Sequence, residues 1–112
     1  MQELPVINRT QELYEAVSKL TDKLPSLQRQ TLGRRLEDGI LNLLELLIMA
    51  KYAPAAQKGP YLIKASAQAE IVQFKLRIML NQQLANETTL HQLQAKNREI
   101  GRMLGGWRKS IQ

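Results

Sequence analysis

An all-α protein, folded as an antiparallel up-down-up-down four-helix bundle, is what this sequence predicts, on three observations. Apolar residues recur at steps of three and four through four separate stretches, the pattern of a helix with one buried face. Hydrophobic residues make up 44% of the chain with only one Phe and one Trp, so the core is built of Leu, Ile and Ala, which suit helices better than strands. The connections are short, which sets successive helices antiparallel as neighbours. A length of 112 residues supports one domain with one core, residues 1–112, with 1–9 as an N-terminal extension.

The first helix is expected from Thr10 to Leu24, where Leu13, Val17, Leu20 and Leu24 keep helical spacing. Asn8 reads as its N-cap with Gln11 as capping-box partner; Pro25 ends it, and Ser26 caps the next. The second helix, Leu27 to Tyr52, carries a broad apolar face of Leu32, Leu36, Ile40, Leu43, Leu44, Leu47 and Ile48. Arg34, Arg35, Asp38 and Glu45 lie on its other side, with Arg34 and Asp38 at the spacing of a helical ion pair. Pro54 and a Lys58-Gly59-Pro60 turn follow it.

The third helix, Tyr61 to Leu84, has two apolar stripes. One is Ile63, Ala67, Ile71, Phe74 and Ile78; the other is Leu62, Ala65, Ala69, Val72, Leu76 and Met79. Lys64, Gln68 and Lys75 separate them on one side, and Glu70, Gln73 and Arg77 on the other. A helix apolar on two sides is covered on two sides, either inside its own domain or by the core and a second subunit. A bundle this small has no interior helix to spare, which favours self-association. We assign the oligomer interface to the stripe of Leu62, Ala65, Ala69, Val72, Leu76 and Met79. Asn86-Glu87-Thr88 makes the last turn, and Thr89 with Gln92 forms a capping box for the fourth helix, which runs to Ile111. There Leu93, Asn97, Ile100, Leu104, Trp107 and Ile111 fall on one face, and His91, Gln94, Arg98, Arg102 and Lys109 nearly opposite. The spacing of Gly101 and Gly105 signals a close approach between helices.

The net charge of +6 is unevenly placed. Residues 1–57 carry seven basic and seven acidic side chains, whereas residues 58–112 carry nine basic residues against Glu70, Glu87 and Glu99. Such an excess suits a polyanionic partner, and equally an ordinary solvated surface. Catalytic and metal-binding patterns are missing. There is no cysteine, and the one histidine, His91, has no second ligand or nucleophile at a useful spacing. No Walker A loop, dinucleotide-binding glycine pattern or Glu-x-x-His motif occurs. We therefore expect a non-enzyme without cofactor or metal. The absence of cysteine fits a cytoplasmic location, and the longest apolar stretch, Ile40 to Ala50, is too short to span a bilayer. What remains are the cations. Arg98, Arg102 and Lys109 project together from the fourth helix with Arg108 at their edge, Lys64 and Lys75 share a strip of the third, and Arg77 lies elsewhere on it. Guanidinium groups clamp phosphates bidentately, and no aromatic residues interleave with the cations to stack on bases. Nucleic acid would bind through its phosphates with weak sequence preference.

Two stretches carry a family resemblance: Leu32-Gly33-Arg34-Arg35-Leu36 leading into Leu43-Leu44-Glu45-Leu46-Leu47-Ile48, and Ile100-Gly101-Arg102-Met103-Leu104-Gly105-Gly106-Trp107. With the intervening Phe74-Lys75-Leu76-Arg77, they resemble the Avd type of small four-helix bundle, the accessory variability determinants of diversity-generating retroelements. The broader group includes bundle proteins encoded in intervening sequences of bacterial 23S ribosomal RNA genes. The similarity covers residues 24–112. The resemblance implies a basic homopentameric barrel that binds the retroelement's reverse transcriptase and RNA or DNA, supporting mutagenic copying of a template repeat without catalysing it. By position it points to Arg34, Arg35, Arg77 and Arg102. A structural or ribosome-associated bundle of the intervening-sequence type, with no retroelement role, is the alternative it leaves open.

Overall fold

A computed structural model of the chain describes residues 3–111. Its elements are α1 (Glu3–Thr21), α2 (Ser26–Gln28), a π-helical turn (Arg29–Gly33), α3 (Arg34–Tyr52), α4 (Ala55–Asn81) and α5 (Glu87–Ser110). The π-turn joins α2 to α3 in one continuous helical run. The four long helices pack in the cyclic order α1, α3, α4, α5 and back to α1, making a four-helix bundle 44 Å long. Cross-helix bonds fix the antiparallel register. Gln68 Nε2 donates to the Gly39 carbonyl and Lys75 Nζ to the Arg35 carbonyl, so α4 rises as α3 descends. Asn97 Nδ2 donates to the Ala69 carbonyl and Gln73 Nε2 to the Gln94 carbonyl, which does the same for α4 and α5.

The core is aliphatic, as the composition requires. Leu13 and Val17 of α1, Leu36, Ile40, Leu43 and Leu47 of α3, and Leu90, Ile100 and Leu104 of α5 are fully buried, and Trp107 closes one end. Burying each such side chain contributes about 1.5–3 kcal/mol, which is what holds the helices together. Gly33 is buried where α1 turns back, and a Cβ there would stand 3.3 Å from Leu24 Cδ1 and 3.4 Å from Thr21 Cγ2. A side chain there would push these neighbours aside by a few tenths of an ångström.

The decisive correction concerns α4. Leu62, Ala65, Ala69, Val72, Leu76 and Met79, expected to form the oligomer interface, are all buried in the chain's own core, none more than 4% exposed. The other stripe is the outward one: Ile63, Ile71, Phe74 and Ile78 are 42–56% exposed, with Ala67 exposed between them. The physical reason is tertiary. The polar bonds from Gln68, Lys75 and Asn97 turn the Ala-rich side of α4 inward, where small residues let α3 and α5 approach closely.

Element ends differ from expectation in instructive ways. α1 begins at Glu3, so the expected N-terminal extension is helical from that residue, and Asn8 lies inside the helix. Val6 extends the apolar face, and buried Thr10 returns its hydroxyl to the Val6 carbonyl at 2.8 Å. Pro25, not Ser26, is the N-cap of α2. Lys58-Gly59-Pro60 is helical rather than a turn, because Lys58 Nζ donates to the Ala50 and Lys51 carbonyls at 2.9 and 2.8 Å. Its ammonium thus caps the negative end of α3 from the first turn of α4. α4 ends in a Schellman motif, with Leu84 N bonded to the Met79 carbonyl, Gln83 N to the Leu80 carbonyl, and Gln83 left-handed at φ 56°. Asn86, not Thr89, caps α5: its Oδ1 accepts from Thr89 N at 3.0 Å. The close approach expected at Gly101 and Gly105 is absent, since a Cβ at either would meet nothing within 4 Å. Among the described residues, no helix is long and apolar enough to cross a membrane.

Candidate functional site

The cations singled out in the sequence fall into two banks on either side of the exposed α4 stripe. On the α3 side stand Lys64, Lys75 and Arg35, with Arg34 one step further out on α3. The Lys75–Arg35 bond, at 3.3 Å, marks this seam. On the α5 side stand Arg77, Arg98 and Arg108, and Arg102 and Lys109 lie on the outward face of α5. Arg34, Arg35, Lys64, Arg77, Arg98, Arg102 and Lys109 are exposed; Lys75 and Arg108 are half-buried. Between the banks runs Ile63-Ala67-Ile71-Phe74-Ile78, so apolar surface and positive charge share one face. Arg77 bridges the two, its guanidinium 4.9 Å from the centroid of the Phe74 ring.

These cations are not equally free. Lys75 spends one of its three donors on the Arg35 carbonyl. Arg102 is bound to Glu99 one turn earlier, with Nε at 2.9 Å from one carboxylate oxygen and Nη2 on the other. This two-pronged hydrogen bond holds the Glu99 carboxyl below its ordinary value and the Arg102 guanidinium above its own. The residue that best combined position and resemblance therefore presents a neutralised pair. Among the described residues, ion pairs within 4 Å join Arg9 to Glu12 and Arg102 to Glu99, His91 Nε2 lies 3.5 Å from a Glu87 carboxylate oxygen, and the expected Arg34–Asp38 pair is not formed. Arg98, Arg108, Lys109, Arg77, Arg34 and Arg35 are thus free of ion pairs there. Gln94, expected among the cations of α5, is buried against α4.

Spacing offered a signal for part of what the sequence reading missed. Glu99 stands three residues before Arg102, a standard pairing distance on a helix. Nothing comparable announces the open groove between α4 and α5, lined by Ser66, Ala69, Glu70, Gln73, Asn97, Arg98, Gly101, Gly105 and Arg108. A larger groove of about 620 Å³ lies between α1 and the start of α5, lined along one side by Glu12, Glu15, Lys19 and Lys23, with Leu20, Leu24 and Leu84 as apolar lining. Among the described residues, no three His, Cys, Asp or Glu side chains gather as a metal site would require.

The arrangement suits an extended anion better than a small substrate: charge is spread along helices rather than gathered in a pocket. No curated protein and no solved structure matches the chain. A family match exists and spans nearly the whole bundle, residues 5–111, covering every element and both basic banks: the chain belongs to the bAvd-like family.

Proposed function

We propose that this chain is a non-catalytic accessory protein of a diversity-generating retroelement, acting in the cytoplasm, where it binds the reverse transcriptase and nucleic acid during mutagenic copying of a template repeat. Family membership over residues 5–111 carries this reading. The charge distribution supports it: the excess of +6 comes from the second half of the chain, and its free guanidinium groups line an accessible face. Phosphates are the groups such cations take, Arg98, Arg108 and Arg77 by bidentate contacts and Lys64 and Lys109 by attraction alone.

Assembly belongs to the same proposal. A contiguous apolar stripe on a small domain calls for a cover, and the stripe of Ile63, Ile71, Phe74 and Ile78 is here placed against a second copy. A second exposed strip, Leu41, Ile48 and Tyr52, lies on α3, at the neighbouring corner of the bundle. Two different patches facing different directions are what a closed ring needs, and a pentamer is the ring proposed. Repetition of the basic banks around it multiplies the field and lets one strand touch several subunits.

The test is co-expression with the reverse transcriptase encoded beside the gene for this chain, next to a template and variable repeat pair. Co-purification that weakens on reversing Arg98 and Lys109 to Glu supports the proposal. Absence of a neighbouring reverse transcriptase, with co-sedimentation on ribosomes instead, turns the reading to the structural bundle of the intervening-sequence type.

A further inference from the structure

Glycine weakens a helix relative to alanine, so two glycines on one face call for a reason. Gly101 and Gly105 give no help to the bundle, because a Cβ at either position meets open space. They floor the groove of about 360 Å³ between α4 and α5, together with Ser66 and Ala69. Four small residues leave the backbone of α5 open to close approach from outside. Arg98 and Arg108 flank this floor, about 15 Å apart along the helix, and neither enters an ion pair among the described residues. Glu70 is the one carboxylate lining the groove, against two guanidinium groups.

Asn97 supplies the specific feature. It lines the same groove and is 2% exposed. Both of its amide hydrogens are committed, Nδ2 donating to the Ala69 carbonyl at 2.9 Å and to Gln73 Oε1 at 2.8 Å. The amide cannot be turned over, because a carbonyl at Ala69 demands a donor. Gln73 in turn must show its oxygen to Asn97, since its own Nε2 donates to the Gln94 carbonyl. Asn97 Oδ1 is therefore left as a buried acceptor with no partner among the described residues. An orphan of this kind is costly and rare, and only an O–H or N–H donor answers it. In the backbone of a strand a phosphodiester has none, and neither does a deoxyribose; base N–H groups donate too, but alike in RNA and DNA, so they give no preference between the two. A ribose has its 2′-hydroxyl at every nucleotide.

We propose that the α4–α5 groove is a ribose-phosphate subsite that selects RNA over DNA, with Arg98 and Arg108 on phosphates and the 2′-hydroxyl donating to Asn97 Oδ1. This rests on the nucleic-acid reading above and adds the sugar to it. The oxygen itself is covered by its neighbours. The hydroxyl reaches it by displacing Gln73, whose outer bond to the Gln94 carbonyl is long, at 3.4 Å, and it takes over Gln73's place by accepting from Asn97 Nδ2 while donating to Asn97 Oδ1. Glycine at positions 101 and 105 then lets the sugar lie against the helix.

The experiment compares three 5′-labelled single strands of one sequence, RNA, 2′-O-methyl RNA and DNA, binding the full chain by fluorescence anisotropy at low salt. RNA should bind about tenfold more tightly than both others, the order that one hydrogen bond provides. Gly105→Leu adds bulk to the groove floor at a position where a Cβ meets nothing within 4 Å, so it should keep the thermal midpoint and abolish the preference. Equal affinity for the three strands overturns the subsite and leaves the nucleic-acid reading standing. No binding to any of them overturns both. A preference that survives Gly105→Leu overturns the groove as its location. A fall in assembly mass with the preference untouched makes the groove a subunit contact instead. The wild-type comparison needs no variant, so equal affinity for the three strands overturns the subsite even if Gly105→Leu fails to fold.

Discussion

Val72 and Ile71 are adjacent in sequence and opposite in fate, which makes a pair of Asp substitutions the sharpest test of how α4 is turned. Val72 is fully buried and Ile71 is 46% exposed. Val72→Asp forfeits about 1.5–3 kcal/mol of apolar burial. It also strands a carboxylate in a core without a partner, which costs several kcal/mol more or forces protonation. Lys75 reaches that side of α4, but its ammonium is engaged with the Arg35 carbonyl. The sum is comparable with the entire stability of a small domain, about 5–15 kcal/mol, so Val72→Asp should be unfolded or nearly so at 25 °C. Ile71→Asp removes a side chain already half in water and should cost the isolated fold roughly 1 kcal/mol. Its effect should fall on assembly, where an unpaired carboxylate enters an apolar contact. Circular dichroism melts and light scattering on both variants separate the cases. Val72→Asp should lose its helical signal, whereas Ile71→Asp should keep it and scatter with a mass closer to the 12.8 kDa of one chain. A well-folded Val72→Asp would refute the orientation of α4, and an Ile71→Asp protein with the wild-type mass would refute self-association through the outward stripe.

Further outcomes follow from single contacts. Glu99→Gln removes the charge that neutralises Arg102, so nucleic-acid binding should tighten and its salt slope steepen by roughly 0.7–0.9, as one additional neutralised phosphate requires. Because the Glu99 carboxyl is held below its ordinary value, its pairing is complete at neutral pH and is lost only as pH falls through that lowered value. Binding measured between pH 8 and pH 6 should therefore show no change traceable to this pair. Gln83→Gly relieves a left-handed residue at the end of α4 and should stabilise the chain by about 1 kcal/mol, read as a rise of several degrees in the thermal midpoint. Lys58→Met removes the ammonium from the Ala50 and Lys51 carbonyls and should cost about 1–3 kcal/mol in denaturant titrations.

Much of the bundle was legible because buried faces repeat at helical spacing: Leu36, Ile40, Leu43 and Leu47 on α3, and Leu93, Ile100, Leu104 and Trp107 on α5, are core as their periodicity indicates. Periodicity does not say which of two stripes faces inward. On α4 the bulkier stripe, with Ile71 and Phe74, lies outside, because hydrogen bonds to Gly39 and Arg35 and from Asn97 orient the helix, and those partners are distant in sequence. Local turn signals failed at Lys58-Gly59-Pro60 for a related reason, since the ammonium finds its acceptors only once α3 has ended beside it. At the candidate site, exposure of the cations was readable from the helical wheel. Freedom from pairing was readable only in part: Glu99 stands at pairing distance from Arg102, while the Arg34–Asp38 spacing yields no ion pair. The groove at Gly101 and Gly105 was hidden, because emptiness is a property of the neighbours and not of the glycines.

Binding of a labelled single-stranded RNA across a range of sodium chloride concentrations, followed by anisotropy, tests the phosphate-dominated reading most directly. The logarithm of affinity should fall linearly with the logarithm of salt, with a slope of about −0.7 for each phosphate neutralised. Reversal of Arg98 and Lys109 to Glu should weaken binding alike for every sequence and flatten that slope by roughly 0.7 for each phosphate no longer neutralised, with the helical signal intact. Affinity that ignores salt, or a double variant that binds as the wild type does, would contradict it and make the +6 charge an ordinary solvated surface.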